Sequence, residues 1–341
     1  MAVSTALTAE HDAQPQSTVT PFEFRGDGAE FFKIWIVNLL LTILTLGIYS
    51  AWAKVRSNRY FYSNVYLEGE SFRYLAEPMQ ILLGRLIAVA FFAVYILAAQ
   101  LSPLVGGVLI ILLTIATPFL VIRSLAFNLR MTAYRNIQFR FDASYGEAAM
   151  ALLVWPVLGV LSLGLLYPYA MLKSHQFLVR NAAYGTTPFG YEATTWAYGR
   201  IFLYFLGILV VVGLFYLVFY ILFPPALIIV MAVGYVVAFG YFTVALTNLY
   251  YASAGLGVHG LSADLEMPGY LQIFLTNALF IVLTLGLYLP FAQVRMARYR
   301  AEHIYFLANG SLDDFVAAER RQVNALGEEM GEVFDFDIGV V

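Results

Sequence analysis

Basic and aromatic side chains recur at one spacing in two distant parts of the chain. Residues 44–60 read LTLGIYSAWAKVRSNRY, and residues 283–299 read LTLGLYLPFAQVRMARY. In each copy two arginines three residues apart share one helix face, and a tyrosine follows the second arginine. Guanidinium groups beside an aromatic ring suit phosphate, so each copy predicts a face that binds anionic phospholipid. The predicted residues are Lys54, Arg56, Arg59, Tyr60, Arg295, Arg298 and Tyr299.

The same copies also have a simpler structural interpretation. Aromatic side chains favour the membrane–water interface, and basic side chains meet lipid phosphates there. The motif then marks a helix end anchored in the headgroups and binds nothing specific. A docking site for a protein partner is a third interpretation, and the residues leave all three open.

Four polar residues fall within or beside apolar stretches. Asn38 and Asn277 each lie nine residues before the glycine of the motif, where an unpaired amide would be costly. They predict either structural hydrogen bonds between helices or a polar path. Arg85 and Arg200 lie near predicted helix starts, so they either extend to the headgroups or pair with a glutamate in the interior.

Residue patterns typical of enzymes are missing from the sequence. The chain has no cysteine, and its four histidines are widely separated. No Gly-x-Ser-x-Gly elbow, Walker phosphate loop or His-Glu-x-x-His pattern occurs. We therefore expect no enzymatic activity, no metal site and no cofactor.

Composition indicates a membrane protein. Of the 341 residues, 61% are hydrophobic and only 12% are charged, and the net charge is −3. Soluble domains carry about twice that charged fraction. No basic block is large enough to indicate nucleic acid as a partner.

Seven apolar segments are long enough to predict transmembrane helices. Short proline-marked joints at Ser102-Pro103 and Pro224-Pro225 favour antiparallel helical hairpins. The predicted fold is an all-α polytopic membrane protein. Its segments are residues 31–52, 81–101, 104–127, 147–172, 199–223, 225–249 and 270–292.

Repeated markers predict how these segments are organised. A worn third motif copy, LSLGLLYPYAMLKSHQF, occupies residues 161–177 between the other two. We expect two inverted three-helix repeats followed by one helix. The arginine-rich copies then face the cytoplasm, with the N-terminus outside and the C-terminus inside. The predicted boundaries are a disordered tail (1–23), repeats (24–130 and 131–257), a seventh helix (258–312) and an acidic tail (313–341).

Alternating aromatic and polar residues predict small β-hairpins on the cytoplasmic side. These stretches are residues 64–74, 134–141 and 303–312. An isolated hairpin is marginally stable, so the three are expected to join in a small sheet.

The long first motif carries a family resemblance. FRGDGAEFFKIWIVNLLLTILTLGIYSAWAKVRSNRYFYSN, followed by EGESFRY and GRLIA, resembles the bacterial YjgN-like inner-membrane proteins, a family of unknown function. The resemblance covers roughly residues 22–314. It implies a multi-pass protein of the bacterial cytoplasmic membrane and supplies no reaction, substrate or site residues.

Two functions follow from these patterns. Inverted repeats, embedded asparagines and helix prolines favour a transporter-like protein for a lipid or another substrate of low polarity. The cytoplasmic arginine motif and the lack of a buried acid favour a non-catalytic scaffold or accessory subunit.

Overall fold

The structure is a computed structural model that describes residues 17–338. Eleven short strands alternate in pairs with apolar helices. The strands are β1 (Ser17–Pro21), β2 (Glu23–Phe24), β3 (Val65–Leu67), β4 (Glu70–Tyr74), β5 (Thr132–Tyr134), β6 (Ile137–Phe141), β7 (Ala182–Tyr184), β8 (Thr187–Tyr191), β9 (Ala254–Leu256), β10 (His259–Ala263) and β11 (Ile304–Asn309).

Two helices separate consecutive strand pairs except between β6 and β7, where there are three, and one helix follows the last strand. A π-helical turn, Met150–Val154, joins two of them, and a 3-10 turn, Pro224–Ala226, joins two others. The helices are α1 (Gly28–Leu44), α2 (Ser50–Ser63), α3 (Pro78–Leu101), α4 (Pro103–Arg130), α5 (Tyr145–Ala149), α6 (Trp155–Leu161), α7 (Tyr167–Arg180), α8 (Thr195–Leu222), α9 (Leu227–Ala252), α10 (Met267–Leu283), α11 (Leu289–Glu302) and α12 (Leu312–Ile338).

All eleven strands form one antiparallel sheet that curves almost into a closed barrel. The strand order runs from β1 through β11, β10 and then down in sequence to β2. Because only Phe22 separates β1 from β2, the two ends of the sheet meet, and the Phe22 amide donates to Ile304 O at 3.0 Å. Closure of this kind removes the unpaired edges that an open sheet would expose.

Two sets of five side chains, one from each pair of strands, fill the inside of this sheet. We name Phe22, Phe72, Phe139, Phe189 and Leu261 the first apolar ring, and their neighbouring phenyl centroids lie 6.2 to 6.4 Å apart. The second apolar ring is fully buried. It consists of Leu67, Tyr134, Tyr184, Leu256 and Phe306.

Helix α12 covers the open mouth of the barrel. Its Glu319 is 2% exposed and accepts hydrogen bonds from the Thr186 amide and from Thr187 Oγ1. Asp313, at its first turn, forms an ion pair with Arg135. Burial beneath this helix raises the pKa of Tyr134 to about 12. The sheet and α12 thus enclose one apolar core.

The helices form five helical hairpins that all start and end at the sheet. The first (α1, α2), third (α5 to α7) and fifth (α10, α11) are short, and the second (α3, α4) and fourth (α8, α9) are long. Neighbouring hairpins contact one another around the ring, including the first and the fifth. Among the described residues, four helices are long and apolar enough to cross a membrane, and they are those of the two long hairpins.

The prediction of an all-α protein with seven crossings and two inverted repeats is therefore wrong. Four predicted segments correspond to the long helices, but segments 31–52, 147–172 and 270–292 each contain a turn that reverses the chain. The strands form one eleven-stranded sheet, much larger than the small sheet of three hairpins that was expected. Since no hairpin ends away from the sheet, no half of the chain is inverted relative to the other.

Two smaller expectations also change. Residues 17–21 form a strand instead of part of a disordered tail, and the rest of that tail lies outside the described residues. This strand pairs with β11, so residues 17–21 and 304–309 lie side by side in the sheet. Residues 313–338 of the predicted acidic tail belong to α12.

Candidate functional site

The repeated motif forms the tips of the three short hairpins. In the first copy Leu46 and Gly47 have φ values of 49° and 93°, and the other two copies repeat this pair of conformations. The Gly47 amide donates to Thr42 O at 2.8 Å, which closes a Schellman-type turn. Thr45 Oγ1 accepts from the Tyr49 amide at 2.9 Å and so ties the end of α1 to the residue before α2. The Leu-x-Leu-Gly frame therefore specifies chain reversal.

The three tips are apolar and fully exposed. Leu46, Leu163 and Leu285 occupy equivalent positions and are each 95% exposed. Every charged residue of the hairpins lies among the ten helical residues nearest the sheet or in the links to it. Exposed leucines at an uncharged tip are typical of a surface that contacts lipid or another protein.

The two predicted asparagines hold the arms of the first and fifth hairpins together. Asn38 Oδ1 accepts from Arg56 Nη1 at 3.2 Å, and Arg56 also donates to the Tyr49 hydroxyl at 3.1 Å. In the fifth hairpin Asn277 Oδ1 accepts from Arg295 Nη1 at 2.8 Å. Both asparagines are buried, so these networks satisfy an amide that would otherwise be unpaired.

The remaining motif arginines join neighbouring hairpins. Arg59 Nη2 donates to Ala76 O at 3.0 Å, at the start of the second hairpin. Arg298 Nη2 donates to Gly26 O at 2.8 Å, where the first hairpin begins. Each guanidinium therefore has a protein partner, and Lys54 stays exposed on α2.

The motif tyrosines bind the residues that precede each short hairpin. Tyr60 Oη donates to Asp27 O at 2.8 Å, and Tyr299 Oη donates to Glu266 O at 2.9 Å. The Asp27 side chain caps α1, and its pKa is lowered chiefly because the Glu30 amide donates to it. Lipid binding by the motif residues stays a prediction; a cleft of about 550 Å³ beside Arg56 and Tyr60 remains open.

Of the two arginines near helix starts, one has a clear structural partner. Arg85 donates a hydrogen bond to Ser50 Oγ near the tip of the first hairpin. This contact joins the long second hairpin to its short neighbour. Arg200 is exposed on the first turns of α8.

The third hairpin contains a cleft that the sequence predictions did not include. Its motif glycine is Gly164, and the residues at the same offsets from this glycine differ from those of the first hairpin. Trp155 replaces the asparagine of the Asn–Arg–Tyr network, Lys173 replaces the arginine and Leu166 replaces the tyrosine. The cleft measures about 560 Å³, and Glu147 and Arg180 also line it. These replacements are visible when the three motif copies are aligned. The sequence prediction had instead attributed the missing arginines of the middle copy to its position on the other side of the membrane.

A π-helical turn shapes the first arm of this hairpin. In Met150–Val154 the bonds run from residue i to i+5, and the Trp155 amide donates to Met150 O. Pro156 lacks an amide hydrogen and its ring displaces the carbonyl one turn earlier, which accounts for the irregularity. Turns of this kind recur at functional sites.

A ring of apolar hairpins with all its charges at one end defines an α-helical membrane protein with a barrel-like polar cap. Comparison with known proteins agrees with this class. The chain belongs to the family described as bacterial protein of unknown function (DUF898), whose profile matches residues 19–333. The expected membership of a YjgN-like inner-membrane family is thereby confirmed.

The chain is similar to the inner membrane protein YjgN of two enterobacteria. It is 33% identical over 147 residues to that of Escherichia coli (strain K12), which covers 43% of this chain and 37% of the relative. It is 34% identical over 144 residues to that of Salmonella typhimurium, which covers 41% of this chain and 36% of the relative. The match thus spans well under half of these relatives. No solved structure matches the chain.

Proposed function

We propose that the protein is a non-enzymatic, transporter-like membrane protein that eases the movement of phospholipid between the two leaflets. The observation that carries this proposal is the difference in hairpin length within one ring. The outgoing arms of the three short hairpins are each 17 residues long. Those of the long hairpins, α3 and α8, are 24 and 28 residues long.

Length decides how far each hairpin enters the bilayer. At 1.5 Å per residue a 17-residue arm is about 25 Å long, and the first turns of α1 and α5 carry charged groups that stay in water. In the first hairpin only about 17 Å of helix separates Lys33 from Leu44, roughly half of a hydrocarbon core of about 30 Å. The long arms, at about 36 to 42 Å, suffice to cross it. The protein is therefore proposed to be multi-pass through its long hairpins.

A ring whose short hairpins reach only about halfway through the hydrocarbon core disturbs the lipids beside those hairpins. A short hydrophobic element thins the adjacent bilayer, at a cost of fractions of a kcal/mol per Å. A thinner apolar layer lowers the barrier for a passing headgroup. The route proposed here runs along the outside of the short hairpins, since the two apolar rings and α12 fill the axis of the sheet.

Charge distribution supports a cytoplasmic position for the sheet. The described lysines and arginines lie on the sheet or on the helical turns nearest to it, and residues 86–122 and 201–263 contain no charge. Lysine and arginine mark the cytoplasmic side of inner-membrane proteins. Both described ends of the chain are then proposed to be cytoplasmic.

The test is transbilayer exchange of a fluorescent phospholipid in vesicles that contain the purified chain, with dithionite to bleach the outer leaflet. We expect faster exchange than in protein-free vesicles. Leu163→Asp places a charge at a short tip, at a cost of about 2.5–3.5 kcal/mol at mid-bilayer, and should slow the exchange. Ser102→Asp makes a matched change at a long tip, near the far interface, and should not.

A scaffold role is the second candidate, and the filled barrel favours it. A sheet that is closed around its core and covered by α12 offers a rigid surface without an axial path. Exchange equal to that of protein-free vesicles would rule out lipid movement and leave this second function.

A further inference from the structure

The cleft of the third hairpin differs in chemistry from the same region of the other short hairpins. There, an asparagine and an arginine bind each other between the arms. Here, Trp155 stacks edge-on against Tyr169 with ring centroids 4.7 Å apart, and it accepts no bond from Lys173. The cleft of about 560 Å³ is similar in volume to the one beside Arg56 and Tyr60, so the difference between the two lies in the residues that line them.

One wall of the cleft is a cationic stripe on α7. Lys173, Gln176 and Arg180 are spaced i, i+3 and i+7, so they share one helix face over about 10 Å. Lys173 Nζ donates to Gln176 Oε1 at 3.1 Å and lies 5.2 Å from the Tyr169 centroid. Arg180 Nη2 donates to Tyr191 O at 2.9 Å.

Both cations keep donors that the described residues do not use. An ammonium has three N–H donors and a guanidinium has five. Among residues 18–325, whose side chains the structure describes, no carboxylate lies within 4.0 Å of either group. Two positive groups without a paired acid, beside an open cleft, suit a phosphate.

The opposite wall offers one carboxylate. Glu147 accepts only from the Ser144 amide, at 3.4 Å, among the described residues. In the first hairpin the equivalent Glu30 also accepts from the Tyr60 hydroxyl, at 3.2 Å. Phe177 occupies the position of that tyrosine here, so Glu147 remains exposed and available to a cation.

We propose that this cleft binds a glycerophospholipid whose headgroup carries a primary ammonium. The phosphate lies on the stripe of Lys173 and Arg180, and the ammonium lies at Glu147. The glycerol and the first acyl carbons pack against Trp155 and Met150, towards the tip. The inference rests on the proposed function only because that function places the third hairpin in the cytoplasmic leaflet.

Binding is measured on the full chain in detergent, by quenching of Trp155 fluorescence after the other three tryptophans are replaced by phenylalanine. The probes are dihexanoyl phosphatidylethanolamine, dihexanoyl phosphatidylglycerol and inorganic phosphate. We expect the ethanolamine lipid to bind at least tenfold more tightly than phosphate. Lys173→Gln with Arg180→Gln should weaken lipid binding at least tenfold.

Lys33→Gln with Arg140→Gln removes the same charge outside the cleft, at residues that belong neither to the cleft nor to the motif, and should leave the affinity unchanged. Glu147→Gln should abolish the preference for ethanolamine over glycerol headgroups. Equal lipid affinity in the cleft variant and the control variant would overturn the site. Phosphate binding as tight as that of the lipid would show that the cleft takes free phosphate. A headgroup preference unaffected by Glu147→Gln would overturn the ammonium position.

This test separates the site from the proposed function. Lipid exchange in vesicles without binding in the cleft would remove the site alone. Binding without exchange would remove the lipid-movement function and keep the site.

Discussion

The depth of the short hairpins is open to a direct labelling test, because the chain has no cysteine. A single cysteine at Leu46 would lie about 17 Å above Lys33, near the middle of a hydrocarbon core of about 30 Å. A cysteine at Ser102 would lie about 30 Å above Arg123, at the far interface. Only the second thiol should meet water, where the reactive thiolate forms.

The assay is labelling with a membrane-impermeant maleimide in sealed vesicles of both orientations. Leu46→Cys should react at least tenfold more slowly than Ser102→Cys, whichever side of the membrane the reagent is on. Its thiol stays protonated in hydrocarbon, and the protonated thiol is unreactive. Ser102→Cys should react from the periplasmic side. Both variants should label equally after denaturation. Rapid labelling of Leu46→Cys from the periplasmic side would show that the short hairpins cross the bilayer and would refute the length argument.

Three further predictions concern stability, each measured by thermal unfolding in detergent. Gly185→Ala should lower the free energy of unfolding by about 2 kcal/mol, since φ is 56° and the new Cβ would lie 2.9 Å from a side-chain carbon of α12. The control Gly69→Ala, at φ 79° in open space, should lower it by about half as much. Equal losses would contradict the close packing of α12. Asn277→Ala should cost about 1–3 kcal/mol because it removes an acceptor of Arg295, and an unchanged unfolding temperature would refute that role. Burial lowers the pKa of His259 below its unfolded value of about 6.5. The contribution of neutral His259 to stability is therefore complete above about pH 6.5 and declines as the pH falls towards the folded pKa. His259→Gln should reduce the loss of stability between pH 7 and pH 5, and an identical loss in both proteins would exclude it.

Much of the helical part could be predicted from the sequence, since continuous apolarity over more than 20 residues indicates a span. The three short hairpins could not be predicted in this way. Their turn uses a leucine at positive φ before the glycine, and the basic residues that follow resemble an interfacial helix end. A helix that turns back within the membrane and a helix that ends at the membrane surface can therefore have the same composition.

The sheet was only partly predictable because its strands are two to six residues long. The predicted stretch 64–74 forms a hairpin, and the stretch 134–141 forms the second half of one whose first strand begins earlier, at Thr132. The stretch 303–312 was predicted as a hairpin but contains the single strand β11. Strands β7 and β9 read Ala-Ala-Tyr and Ala-Gly-Leu, which have little strand propensity on their own. Their pairing depends on neighbours distant in sequence. For the candidate site, the sequence identified Asn38 and Asn277 as embedded polar residues. Their pairing with Arg56 and Arg295 on the returning arm could not be predicted without knowing where the chain turns.

The pairing of β1 with β11 has a consequence for biosynthesis. Residues 17–21 leave the ribosome before all the hairpins, yet their partner, residues 304–309, is made only after the fifth hairpin. Until then the growing sheet is an open arc, and its unpaired strand could bind another chain. Closing so long a loop is entropically slow, so the final step of folding is expected to await the end of translation. A nascent chain that stalls before residue 304 would therefore keep an adhesive edge, which a chaperone or a protease could recognise.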